Sequence, residues 1–123
     1  MSPGYGECSL LVVHIIEDDV AVADALALAL EGLDRPSRVY PDGESFISGA
    51  EISAGDWVIV DLGLPGMSGT EIVRILERMP RPPKVLAISG KSQAKLTQHL
   101  KEIPELKILR KPLSIEAIAA AME

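Results

Sequence analysis

The sequence predicts one α/β domain, a (βα)5 arrangement in which a doubly wound parallel sheet is covered by helices on both faces. Three observations lead there. Five short apolar runs alternate with five helix-like segments along 123 residues, and strands alternating with helices imply parallel pairing through crossovers. The composition is 47% hydrophobic but only 3% aromatic, so the core must be built from Leu, Ile, Val and Ala, as buried parallel sheets usually are. The length is that of one ordinary domain, with no room for a second.

In chain order, residues 1–9 read as a Gly-containing leader and 10–123 as the domain. The first apolar run, Leu10 to Ile16, is rich in β-branched residues and broken only by His14, which reads as a strand buried on both faces. Asp19 can cap a helix over Val20 to Glu31, with Gly32 as its stop. Strand-like "SRVY" (37–40) precedes a short helix that Asp42 can cap over Gly43 to Gly49. "DWVIVDL" (56–62) is the third strand, and Gly69 to Met79 carries Ile72, Ile75, Leu76 and Met79 at helical spacing before Pro80. "KVLAIS" (84–89) is followed by a segment that Ser92 can cap, with Leu96, Leu100 and Ile103 ending at Pro104. "LKILR" (106–110) and a last helix capped by Ser114 complete the pattern. No internal repeat or low-complexity segment interrupts it.

Charge and cysteine content exclude several classes. With 12 basic and 18 acidic residues the formal net charge is −6, and no basic run exceeds Arg110-Lys111. Direct nucleic-acid binding needs a positive stripe, so it is disfavoured. Cys8 is the only cysteine, which leaves no intramolecular disulfide. Neither a signal-like leader nor an apolar segment of spanning length is visible, so the expectation is a soluble, cytoplasmic domain.

Open parallel sheets bind ligands beyond the carboxyl ends of their strands. The sequence places Glu17 and Asp18 at the end of strand 1, Asp61 at strand 3, Ser89 at strand 4 and Lys111 at strand 5. Carboxylates gathered at one edge repel one another and make a hard, all-oxygen site suited to Mg²⁺. An Asp at the tip of a buried strand can act as a nucleophile that forms an aspartyl phosphate. An ammonium and a hydroxyl beside it can neutralise phosphoryl oxygens. Asp19 reads instead as an ordinary helix cap.

The acid cluster "EDD", the segment "VDLGLPGMSG", the "SG" after strand 4 and the "KP" after strand 5 resemble the receiver domain of two-component response regulators, the CheY-like, flavodoxin-like fold. The resemblance covers about residues 10 to 123 and implies strand order 2-1-3-4-5. It implies Asp61 as phosphoacceptor, Asp18 as direct Mg²⁺ ligand, Glu17 reaching the ion through water, and the Gly63 carbonyl completing the protein ligands. Ser89 and Lys111 would hold the phosphoryl group with help from the amides of Gly63 and Gly90, and the peptide before Pro112 would be cis. The implied donor is a histidine kinase or a histidine phosphotransfer protein. Output would pass by protein contact through the 92–103 segment, the fifth strand and the last helix, to an output protein or an attached output domain. A homodimer is compatible with this reading; membrane or direct nucleic-acid contact is not part of it. The domain would phosphorylate itself and slowly hydrolyse the product, without being a turnover enzyme.

Departures from the family pattern sharpen the expectations. The switch position three residues before Lys111 is Ile108, where the family usually has an aromatic ring, so either another rearrangement carries the output or the domain is a scaffold weakly coupled to phosphorylation. Gly63 and Lys91 occupy positions that influence phosphoryl lifetime in the family, and their chemistry suggests a long-lived phosphoryl state. A Mg²⁺-dependent phosphohydrolase is the third alternative, but Gly63 leaves the second acid of such enzymes missing. "SGKS" (89–92) is not a phosphate-binding P-loop, because Val85 stands where the motif needs glycine. The loop from Asp61 is not a calcium loop, because Gly63, Pro65 and Ile72 replace required ligands. His14 reads as a packed or edge histidine rather than a metal ligand, and His99 as solvent-facing.

Overall fold

Uninterrupted apolar runs go to the middle of the sheet and mixed ones to its edges. In the computed structural model, which describes residues 11–90, 103 and 105–122, β1 (Val13–Ile16) and β3 (Trp57–Asp61) are buried along their whole length. β4 (Lys84–Ser89) is buried from Leu86 onward. β2 (Ser37–Tyr40) and β5 (Lys107–Arg110) mix polar or charged residues with apolar ones and are half-buried or exposed. These edge strands flank the others in the order β2-β1-β3-β4-β5, all parallel. That is the order expected.

Each face has its own aliphatic core. On one face Ile16, Val58, Val60 and Ala87 meet Phe46 of α2 (Gly43–Gly49) and Ile72, Val73 and Leu76 of α3 (Gly69–Glu77). On the other, Val13, Ile15, Ile59, Leu86 and Ile88 meet Leu26, Ala29 and Leu30 of α1 (Val20–Gly32) and Ile118 of α4 (Ile115–Ala121). Fully buried side chains such as Ile59 and Ile72, both 0% exposed, each contribute about 1.5–3 kcal/mol of transfer free energy. The expected caps are in place: Asp19 accepts from the amides of Ala21 and Val22, Asp42 from Ser45 and Ser114 from Ala117. Ser68 and Glu71 add a reciprocal capping box on α3.

Several boundaries differ from the sequence reading. β1 starts at Val13 rather than Leu10, because the Val12 amide donates to the Asp56 carboxylate at 2.9 Å. Gly32 lies within α1; the left-handed residue that follows is Asp34, φ 57°, a conformation the short polar side chain of Asp tolerates. β3 ends at Asp61, α3 ends at Glu77 rather than Met79, and β5 begins at Lys107. Leader 1–9 with Cys8, Leu10, Lys91, and the segment capped by Ser92 with Leu96, His99 and Leu100 lie outside the described residues. Ile103 is buried in the core. Among the described residues no helix is long and apolar enough to cross a membrane.

Candidate phosphoryl and metal site

The ladder registers bring four strand ends level. Ile16 pairs with Val60, Asp61 with Ile88 and Ser89 with Arg110, so Glu17, Asp61, Ser89 and Lys111 emerge at one edge. Glu17, Asp18 and Asp61 each offer an oxygen, and these three atoms lie within 4.8 Å of one another. Glu17, Asp61 and Ser89 are buried, whereas Asp18 is exposed. Lys111 reaches across from β5 with Nζ 2.8 Å from Glu17 Oε1 and 3.4 Å from Asp61 Oδ2. The Lys111–Pro112 peptide is cis, as expected.

Backbone geometry fixes the central acid. The Gly63 amide donates to Asp61 Oδ1 at 2.8 Å. Gly69 packs against the strand end so closely that a Cβ there would lie 2.7 Å from the Asp61 carbonyl oxygen and 2.8 Å from Leu62 Cα. Only glycine permits that approach of α3 to β3. Reading the sequence gave Gly69 no such task; its place at the helix start, after "GMS", is the signal that could have found it.

Among the described residues, acids outnumber the ammonium groups that reach them at this edge. Burial pushes the Glu17 carboxyl up to about 7, with the neighbouring Asp61 carboxylate adding to the rise; Lys111 and the Asp19 amide oppose it. For Lys111 burial would lower the ammonium, but contacts with Glu17 and Asp61 prevail and hold it above its usual 10.5. The ion pair places charge beside Glu17 Oε1 without the alignment of a hydrogen bond, so this buried oxygen has lone pairs directed at no donor among the described residues. Among the described residues, the Lys111 ammonium is thus shared by two buried acids, with Asp18 exposed beside them. A donor set of three close carboxylates with an unspent buried oxygen fits a small hard cation.

Two sequence expectations receive a structural setting. Ile108 on β5 lies opposite Ala87 and packs, half-buried, against the α2/α3-side core. His14 is indeed packed, 1% exposed, but with a partner the sequence reading missed. Its Nε2 lies 2.9 Å from Asp56 Oδ2 and its Nδ1 3.3 Å from the Tyr40 hydroxyl. An acid at the start of the strand, directly before the apolar run Trp57 to Val60, was the available signal for Asp56.

Comparison with known proteins agrees with this geometry. The response regulator receiver domain family matches residues 13–123. A response regulator receiver domain (CheY-like) from Methylobacillus flagellatus superposes with a TM-score of 0.75 at 28% identity, covering 93% of this chain and 99% of that one. The tetrathionate response regulatory protein TtrR of Salmonella typhimurium is 24% identical over 93% of this chain and 55% of its own length. The sensory transduction protein RegX3 of Mycolicibacterium smegmatis is 36% identical over 66% of this chain and 36% of its own. The chain therefore spans about half the length, or less, of these curated relatives. Receiver domains bind Mg²⁺ at an acidic pocket, and the Glu17, Asp18 and Asp61 group has that composition. Sheet order, strand-end chemistry and the match over residues 13–123 lead to one conclusion: the chain belongs to the response regulator receiver domain family.

Proposed function

We propose that this domain accepts a phosphoryl group on Asp61 from a histidine kinase or histidine phosphotransfer protein and signals by protein contact. The observation that carries the reading is Lys111 Nζ held between Glu17 and Asp61 at the carboxyl edge of the sheet. An Asp61 carboxylate oxygen would form the new O–P bond as the N–P bond of the donor phosphohistidine breaks and the ring nitrogen leaves. Lys111 and Ser89 would hold phosphoryl oxygens, and the Gly63 amide would keep the Asp61 carboxylate aimed. Asp18 directly, Glu17 through water, Asp61 and the Gly63 carbonyl would hold Mg²⁺, which when bound supplies positive charge against the phosphoryl oxygens. The matched relatives are response regulators rather than turnover enzymes, in keeping with a domain that slowly hydrolyses its own phosphoryl group.

A second reading, a scaffold not switched by phosphorylation, is favoured by Ile108, whose aliphatic side chain packs against the core where an aromatic switch would turn. Intact mass after incubation with acetyl phosphate, with and without Mg²⁺ and beside Asp61→Asn, separates the two. Gain of one phosphoryl group that needs both Mg²⁺ and Asp61 is the expected result. A folded, Mg²⁺-binding protein that gains none would establish the scaffold.

A further inference from the structure

The loop after Asp61 is gripped from outside by the start of α2. Glu44, in the first turn of α2, places Oε2 3.4 Å from the Met67 nitrogen, whose N–H donates to it. The loop turns at Gly66 with φ +69°, and a Cβ on that residue would stand 2.8 Å from the same Glu44 oxygen. The carboxylate thus lies directly against the Gly66 turn. Beside it, a Cβ on Gly43 would lie 2.7 Å from Ile72 Cδ1 and 3.3 Å from Met67 Cβ, so the whole α2 start is seated on this loop and on α3. The same loop is tied to Asp61 at both ends, by the Gly63 amide on Oδ1 and by the close approach of Gly69 to the Asp61 carbonyl.

We propose that Glu44 is a positioning residue for the Asp61 site, clamping the Gly66–Met67 turn so that the Gly63 amide stays on the Asp61 carboxylate. Its bearing on phosphoryl transfer rests on the reading of Asp61 as phosphoacceptor. Glu44 is exposed and contacts none of the reacting groups; it acts through the backbone of the loop. Small displacements of a reacting group are costly in rate even when the fold is unharmed.

The test compares Glu44→Ala and Glu44→Gln in the full chain, reading amide hydrogen exchange at Gly63 and Met67, the initial rate of phosphoryl gain from acetyl phosphate, and the unfolding midpoint. In Glu44→Ala, both amides should exchange faster and the rate should fall about threefold to tenfold, with the midpoint little changed. Glu44→Gln keeps a carbonyl acceptor but not the charge, and should restore both readouts to within about twofold. Unchanged exchange at Gly63 in Glu44→Ala overturns the proposal. So does a Gln variant as impaired as Ala, which would assign the effect to the field of the carboxylate. If the parent protein takes no phosphoryl group, the phosphoacceptor reading fails, while the exchange data still decide whether the clamp exists.

Discussion

Two buried acid sites lie at opposite edges of the same sheet, and they are built differently. At the amino edge, Asp56 accepts from the Val12 amide at 2.9 Å, the Ser53 amide at 3.0 Å and His14 Nε2 at 2.9 Å. Burial alone would raise its carboxyl, but these bonds prevail and hold it below the ordinary 3.8. At the carboxyl edge, Glu17 and Asp61 share Lys111, one Glu17 oxygen has no hydrogen-bond donor among the described residues, and Glu17 is pushed up to about 7. A satisfied buried acid is a structural tie; an under-neutralised group of acids is a place prepared for added charge of the opposite sign. The two edges differ in donors, not in burial.

That contrast is best broken at its strongest point. Lys111→Met keeps much of the stem and removes the ammonium, so phosphoryl gain from acetyl phosphate should fall about 100-fold or more, measured as initial rate by intact mass. A variant that reacts at the parent rate would remove Lys111 from the machinery. At the other edge, Asp56→Asn must turn its amide NH₂ toward at least one of the donors that the carboxylate satisfies. It should lower unfolding free energy by about 2–3 kcal/mol in urea titration while phosphorylation remains at the parent rate. A loss under about 0.5 kcal/mol, the scale of a neutral surface change, would mean that the amino edge is no tie.

The smaller companion is Asp61→Asn. Removing one of two crowded buried acids should leave stability unchanged or raise it by about 1 kcal/mol. Opposite signs for the two Asp→Asn changes, in otherwise comparable burial, would establish the contrast directly. A destabilised Asp61→Asn would show instead that the Gly63 bond to Oδ1 is worth more than the repulsion costs.

How far these edges were legible in the sequence follows from what each required. The carboxyl edge was visible because it draws polar residues from the ends of four of the five strands, and strand ends are marked by where apolar runs stop. Glu17, Asp61, Ser89 and Lys111 therefore emerge together as expected. The Asp56–His14 tie was not, because it joins residues 42 apart in the chain, and the acid that opens strand 3 does not by itself name its partner. Its formation also explains the late start of β1, since Asp56 takes the Val12 amide. The Gly66 turn and the Glu44 contact depend on a φ of +69° and on how the start of α2 sits against the loop before α3, which glycine permits but does not announce.

The smallest effect, and the one that most directly weighs Asp56, is in acid. Because its folded-state pKa lies below the unfolded value, Asp56 contributes stability that is present in full above the ordinary carboxylate range near 3.8. That contribution declines as pH falls through the depressed folded value, since the unfolded chain then binds a proton that the folded one refuses. The parent protein should therefore lose stability steeply below about pH 4. Asp56→Asn should be the less stable protein at neutral pH and converge on the parent in acid, with a shallower slope over the same interval. Unfolding free energies measured from pH 3 to 7 read this difference as up to about one proton. Parallel curves for parent and variant would place the acid sensitivity in other groups and would reduce Asp56 to a packing residue.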